Sequence, residues 1–326
     1  MEPIESAFYY VNLILPIIVL AAGIFGNITG IAVLMVRAKQ LVKMGPSYII
    51  SYLLIADTVY LHQIITSYII IGLNNNFQLI SNLYCKLNRY LSYSLAPISP
   101  WLLAYISVDR LISIRFSVKR EYLRKNSVQF LYFVFLTAFN MLYYYPVAYF
   151  SANKTFGLNN NGTFELVEDS NKMKFNSTML VCTLYTDPLA QAIVIAMNSI
   201  NSVFLPFIIM IVSTILLIHL IITSRRRVHQ NLTRENAIIR RDIKFARTAI
   251  SFNLYFLITN LPLNLLAYLP FFSSPVFFLL NMLFYYIFMA SYAGNFYIIL
   301  LSNTLFKREF FKIFSCIQLR TQSSVN

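Results

Sequence analysis

Apolar positions run along the chain in seven long blocks, at residues 11–36, 47–72, 83–114, 128–150, 189–223, 243–272 and 276–301. Each exceeds the roughly 18 apolar residues that suggest a membrane-crossing helix. Ser, Thr and Asn recur inside the blocks, as in helices that pack on one another instead of facing lipid all round. The pattern predicts an all-α membrane protein, a bundle of seven spanning helices over residues 11–302. Residues 1–10 precede it as a short external N-terminus, and residues 303–326 follow as an amphipathic helix and tail. No repeat with a solenoid's period is visible.

Composition supports this pattern. Charged residues make up 12% of the chain and the mean hydropathy is +0.63, whereas about a quarter of residues in soluble domains are charged. The net charge of +14 acquires meaning only when located. Of 26 Lys and Arg, 21 fall in 37–43, 110–125, 225–247 and 307–320, all on one side of the expected bundle. Lys86, Arg89, Lys154, Lys172 and Lys174 fall on the other. Basic connectors stay cytosolic, which puts the N-terminus outside and the C-terminus inside. The basic face then meets anionic lipid, and nucleic acid is not an expected partner. Glu2 and Glu5 stand where a signal peptide carries basic residues, so the first helix is expected to act as a signal anchor.

The external connector 151–187 contains three acceptor sequons, at Asn153, Asn161 and Asn176, which are expected to carry glycans. Matches at Asn27 and Asn231 fall in the membrane and the cytosol. Of the three cysteines, Cys85 and Cys182 lie on the oxidising side, where a disulfide is expected. It would close a 97-residue separation, worth about 4–5 kcal/mol in the chain-entropy account; two free thiols are the alternative. After the seventh block, Phe306, Phe310, Phe311 and Phe314 share one helical face, with Lys307, Arg308 and Lys312 off it. That is the pattern of a helix lying on the inner leaflet. Cys316 beyond it is a candidate for palmitoylation, or a plain reduced thiol.

The third block ties the two sides together. Cys85 and Arg110 are 25 residues apart, about 37 Å along a helix, against about 30 Å of hydrocarbon. Asp57 lies mid-block in the second helix, and intramembrane carboxylates are candidate functional groups by default. The three histidines, His62, His219 and His229, are scattered with no metal or nucleophile spacing, and no enzyme is expected.

In order along the chain stand Gly26-Asn27, Leu53-Leu54-Ile55-Ala56-Asp57, Cys85, Asp109-Arg110-Leu111, Cys182, Pro206, Phe256, Pro262, Asn295 and Phe306. On seven blocks with the N-terminus outside, this series resembles the rhodopsin-like (class A) G-protein-coupled receptors over nearly the whole chain. Within that family, the invertebrate neuropeptide receptors of the FMRFamide-receptor type are the suggested relatives. The resemblance implies a plasma-membrane receptor for an extracellular ligand that activates a heterotrimeric G protein through Asp109-Arg110. Asp242, 20 residues before Pro262, would hold Arg110 in the inactive state. Asn27, Pro206, Phe256 and Pro262 would relay helix movement. Asp57, Ser99, Ser291 and Asn295 would form a polar core for a structural sodium ion, with a hydrogen-bonded buried carboxyl as the alternative. No other metal or cofactor is implied.

The departures are as informative. Leu111 stands where a Tyr usually follows the Arg, and the fourth block lacks the usual Trp, the only Trp being Trp101. Asn260 replaces the toggle Trp, Asn295-Phe-Tyr-Ile-Ile299 lacks the usual Pro and Tyr, and Thr214 replaces a Tyr. Pro97 and Pro100 are expected to kink the third helix. Ser92 occupies the place of the amine receptors' Asp, which argues against biogenic amines, and the seventh block has no Lys for retinal. The candidate pocket residues are Ser92, Tyr93, Asn260, Tyr285 and Tyr286. Long second external loops in this family often form a hairpin beside a peptide-binding mouth, and this loop carries Glu165, Glu168, Asp169 and Asp187 against three lysines. With Tyr143–Tyr145, Tyr149, Tyr285, Tyr286 and Tyr292 as aromatic walls, a peptide is favoured, of the basic amidated sort; interfacial Tyr belts are the bland alternative. A lipid or small-odorant receptor is the competing reading. A transporter, which would bring internal symmetry and several intramembrane charges, is the rival from another class.

Overall fold

The computed structural model describes residues 2–36, 47–72, 82–115, 123, 125–158, 164–166, 177–183, 188–228, 234–266 and 275–323, with backbone alone toward several element ends. Helix α1 (Glu2–Val36) starts ahead of the first apolar block. Glu2 and Glu5 stand in its opening turns, where carboxylates suit the positive end of the helix dipole. The expected separate segment 1–10 is therefore helical from Glu2. Helix α2 (Ser47–Gly72) coincides with the second block.

The third block is two helices, α3 (Asn82–Leu95) and α4 (Ile98–Arg115), divided by a turn at Ala96-Pro97. Pro97 has no N–H to continue the ladder of α3, whereas Pro100 sits in the first turn of α4, where a missing N–H is tolerated. The fourth block is likewise α5 (Asn126–Tyr143) and α6 (Tyr145–Phe150), with Tyr144 between them at φ −94° and ψ 6°. Pro146 opens α6. The fifth runs as α7 (Pro188–Ser199), a π-helical turn Ile200–Phe204 and α8 (Leu205–Val228). Such a turn before Pro206 is one of the identifiable causes of a helix bend.

The sixth helix, α9 (Arg234–Leu266), and the seventh, α10 (Pro275–Ser302), complete the bundle. Asn303 separates α10 from α11 (Thr304–Ser323). Its Oδ1 accepts the N–H groups of Leu305 and Phe306, both at 3.1 Å, as an N-cap does. Among the described residues, six helical segments are long and apolar enough to cross a membrane, the third at Leu83–Arg115 and the fifth at Ala192–Thr223 among them. The broken pair α5–α6 is the seventh member of the bundle.

The spanning bundle is helical, as expected, and the connector after the fourth span adds a small sheet. Between α6 and α7, strands β1 (Ala152–Leu158), β2 (Phe164–Leu166) and β3 (Ser177–Thr183) form an antiparallel sheet in the order β2-β1-β3. Phe156 pairs with Leu166 on one side and Met179 on the other. The sheet's β1 touches α3.

The first helix packs on the second and seventh, and the third packs on the fifth and sixth. Gly30 permits the first contact: a Cβ there would stand 2.7 Å from Leu54 Cδ1 and 2.9 Å from Phe296 Cδ2. Small residues at such crossings let helix backbones approach in a membrane. Leu53, Leu102, Phe252, Phe256 and Phe296 form the middle of the core.

Candidate functional site

The breaks and bends open a cavity of about 390 Å³ between α2, α3, the fifth helix, α9 and α10, in the half of the bundle nearer Cys85. Its wall on α3 is fixed by a hydrogen-bonded set. Gln63 Nε2 donates to Asn88 Oδ1 at 2.7 Å and to Ser92 Oγ at 3.0 Å, and Ser92 Oγ donates to the Asn88 carbonyl at 2.8 Å. On α9, Asn260 Nδ2 donates to the Phe256 carbonyl and Asn264 Nδ2 to the Asn260 carbonyl.

Ser92, Tyr93, Asn260 and Tyr285 all line this cavity. Tyr286 does not; it is buried in a cluster with Tyr60, Ile64, Met289 and Tyr292. Adjacent helical residues point about 100° apart, so Tyr285 and Tyr286 cannot share one wall, whereas Tyr285, Phe288 and Tyr292 can. The other expected aromatic walls also lie elsewhere. Tyr144 is 1% exposed in the core, and Tyr145 and Tyr149 are 63% and 68% exposed on the bundle's surface.

Beneath the cavity lies the polar core. Asn295 Nδ2 donates to Asp57 Oδ2 at 2.8 Å, and Ser99 stands against the same carboxyl. Asn27 Nδ2 reaches the Tyr292 carbonyl at 3.2 Å. Ser291 Oγ turns back to the Phe288 carbonyl at 2.7 Å and borders a small void with Ser99, Pro100, Phe256 and Asn295. Asn27 Oδ1, Asp57 Oδ1 and Asn295 Oδ1 are buried without a hydrogen-bond partner among the described residues. Acceptor oxygens lacking donors fit a hard cation or a water, so the residues are compatible with the expected sodium.

At the far end of α4, Arg110 Nη2 pairs with Asp109 Oδ2, and both side chains are 1% exposed. Asp242 lies in α9, but its side chain falls outside the described residues. One turn closer to the core, Ser107 Oγ donates to Asn253 Oδ1 at 2.9 Å, while Asn253 Nδ2 donates to Thr214 Oγ1 at 2.7 Å and to the Met210 carbonyl at 3.3 Å. The third, fifth and sixth helices are thereby tied together beside the Asp-Arg pair. Pro206 follows the π-turn in α8, and Pro262 lies within α9.

Residues 26–297 match the family described as the 7 transmembrane receptor (rhodopsin family). The chain belongs to that family. No curated protein matches it. The receptor is a multi-pass membrane protein whose cavity and Asp-Arg pair lie in opposite halves of the same bundle.

Cys85 of the receptor is fully buried and disulfide-bonded. Cys182 stands in β3 opposite Asn153, in the sheet that contacts α3, though its side chain lies outside the described residues. Asn153 is in β1; Asn161 and Asn176 lie outside the described residues. Cys316 stands within α11, which continues to Ser323, and its side chain is also outside them. Phe306 and Phe310 pack on Phe296 with ring centroids 6.1 and 5.9 Å away, whereas Phe311 is 52% exposed.

Sequence reasoning missed Arg89, Asn198, Ser202 and Asn264 in the cavity wall and Asn253 beside the Asp-Arg pair. Arg89 carried a usable signal. It stands three and four residues before Ser92 and Tyr93, hence on their helical face, and an ionisable group within a span is a functional candidate.

Proposed function

We propose that the receptor takes an extracellular ligand, a neuropeptide in the first instance, into the cavity and activates a heterotrimeric G protein at the Arg110 end. The observation that carries this reading is the third span itself. Ser92 and Tyr93 on α3 line the cavity, and Asp109 and Arg110 lie in the opposite half of the span, on α4. A ligand contact and a coupling contact therefore share one helical rod with a break between them, a two-state element that both sites can bias. In this reading the receptor sits in the plasma membrane with its N-terminus outside. Cys85 pairs with Cys182, the loop sequons carry glycans, and Cys316 is palmitoylated. Arg110 exchanges Asp109 and Asp242 for the G protein when the sixth helix moves out. A sodium ion held by Asp57, Ser99 and Asn295 would supply positive charge that stabilises the closed core.

The cavity's volume favours a second reading in parallel. About 390 Å³ lies within the ordinary range for small-molecule sites, so it holds the end of a peptide or the whole of a small organic ligand. Screening a neuropeptide library and a lipid and odorant panel on cells expressing the chain with a promiscuous Gα and calcium readout separates them. A peptide hit supports the first reading and a small-molecule hit the second. Substrate flux without G protein would replace both with a transporter.

A further inference from the structure

We infer that Asn260 and Asn264 on α9 form an acceptor ladder that takes two N–H groups from one edge of an extended peptide. This rests on the reading of the cavity as the ligand site.

Both side chains line the cavity, and hydrogen-bond chemistry fixes the way their amides face. Asn260 Nδ2 donates to the Phe256 carbonyl at 3.2 Å and to Thr259 Oγ1 at 3.0 Å, and Asn264 Nδ2 donates to the Asn260 carbonyl at 2.9 Å. A backbone carbonyl only accepts, so each amide must turn its nitrogen to the helix and its oxygen away from it. Neither Oδ1 accepts a hydrogen bond from a described residue. Asn260 is 1% exposed and Asn264 is partly buried. A ligand that covered these oxygens without donating to them would leave buried acceptors unsatisfied.

The spacing selects the donor. Helical residues four apart share a face and stand about 6 Å apart along the axis. Along one edge of an extended peptide, N–H groups recur at every second residue, at roughly 6.6–6.8 Å. The two repeats agree to within what a side-chain torsion absorbs. The fifth helix supplies the converse group. Asn198 Oδ1 accepts the Tyr144 hydroxyl at 3.2 Å, which leaves Nδ2 in the cavity wall to donate to a ligand carbonyl. A peptide backbone brings both groups in every unit, whereas a hydrocarbon-rich lipid or odorant brings no N–H. Leu263 and Phe288 line the cavity beside the ladder and suit apolar or aromatic side chains on that backbone.

The test uses the full chain purified into lipid nanodiscs, with its thermal midpoint followed against titrated probes, since ligands that bind the native state raise that midpoint. The probes are acetyl-dipeptide methylamides built from Leu, Phe and Tyr. For the probe that binds best, three analogues each exchange one N–H for an ester oxygen. The first and last N–H groups of such a probe share one edge, and the middle one lies on the other. At least one probe should raise the midpoint, and an ester at either outer position should weaken it about fivefold, as loss of one hydrogen bond implies. The middle ester should cost clearly less. Asn264→Leu should weaken the parent probe by a similar factor. It should also abolish the cost of one outer ester and keep that of the other, the non-additivity expected of partners in one contact. Asn264→Ala carries this arm if Asn264→Leu fails to fold. No shift with any probe, outer esters equal to their amides, a middle ester as costly as an outer one, or ester costs unchanged by the Asn264 substitution would overturn the assignment. Any of these results, obtained while the same chain still gives a ligand-stimulated calcium response, would remove the ladder and leave the receptor reading standing.

Discussion

The Tyr292 hydroxyl on the seventh helix donates to the Ala96 carbonyl on the third at 3.1 Å. In an unbroken helix that carbonyl would accept the N–H of the residue four positions on, which here is Pro100 and has none. The proline thus leaves a buried acceptor open, and a tyrosine lining the cavity fills it. Tyr292→Phe should leave the acceptor unsatisfied and cost about 1–3 kcal/mol, read as a lowered thermal midpoint of the purified receptor. Pro100→Ala restores an N–H, so the double variant should lose clearly less than the two single losses together. Strict additivity would mean that the two residues do not act on one carbonyl.

The Ser107–Asn253–Thr214 clasp predicts a change in signalling. Asn253 joins the third, fifth and sixth helices through two side-chain bonds at 2.9 and 2.7 Å. Asn253→Leu keeps an apolar volume at that place and removes both bonds. We expect higher ligand-free nucleotide exchange on a co-reconstituted G protein, and a longer spin-label distance between the third and sixth helices at the Arg110 end. Basal exchange and distances equal to those of wild type would show that the clasp does not restrain the sixth helix.

Trp101 supplies a structural prediction. Its indole Nε1 donates to the carbonyl and Oδ1 of Asn201 at 3.0 and 3.1 Å, inside the π-turn, and Asn201 Nδ2 donates to Asn140 Oδ1 at 2.8 Å. The third, fourth and fifth helices meet in this network. Trp101→Phe keeps the aromatic body and deletes the donor, so stability should fall by about 1–3 kcal/mol while surface expression persists. A midpoint within error of wild type would show that the indole N–H is dispensable.

Glu309 gives a pH dependence outside the membrane-spanning segments. Hydrogen bonding from Lys312 first, and also from Arg308, holds its carboxyl below the ordinary value of 4.5. A lowered folded value means that the stabilisation is fully present above the ordinary value and is lost as pH falls through the lowered one. Amide-exchange protection of α11 should therefore weaken below about pH 4.5, by a small amount because both cations are more than half exposed. Glu309→Gln should flatten that dependence, and an unaltered acid response in Glu309→Gln would assign it to another group.

Much of the bundle was legible because lipid demands long apolar helices, and the seven blocks mark them directly. The third span's two ends were legible for the same reason, whereas the grouping of Asp57 with Asn295 came from the family resemblance and not from the apolar pattern. What was not legible depends on neighbours far away in sequence. Pro97 and Pro100 announced a disturbance, but only the packing shows that Pro97 sits at the division while Pro100 lies in the first turn of α4. Arg89 was counted among external charges because hydropathy blocks locate a residue to within several positions, not to a helix face. Tyr285 and Tyr286 were taken together although helical geometry separates them. The partnership of Asn253 with Ser107 spans 146 residues, and no local pattern reports it.

The central claim is that Arg110 couples this bundle to a G protein. The direct measurement is GTPγS binding to a panel of purified Gα subunits with βγ, catalysed by wild-type and Arg110→Ala receptor in nanodiscs at equal folded concentration. The account predicts that wild type accelerates exchange on at least one Gα class and that Arg110→Ala reduces this to the receptor-free rate with its thermal midpoint largely kept. Equal acceleration by Arg110→Ala, or none by wild type with or without a ligand found in the screens, would contradict it.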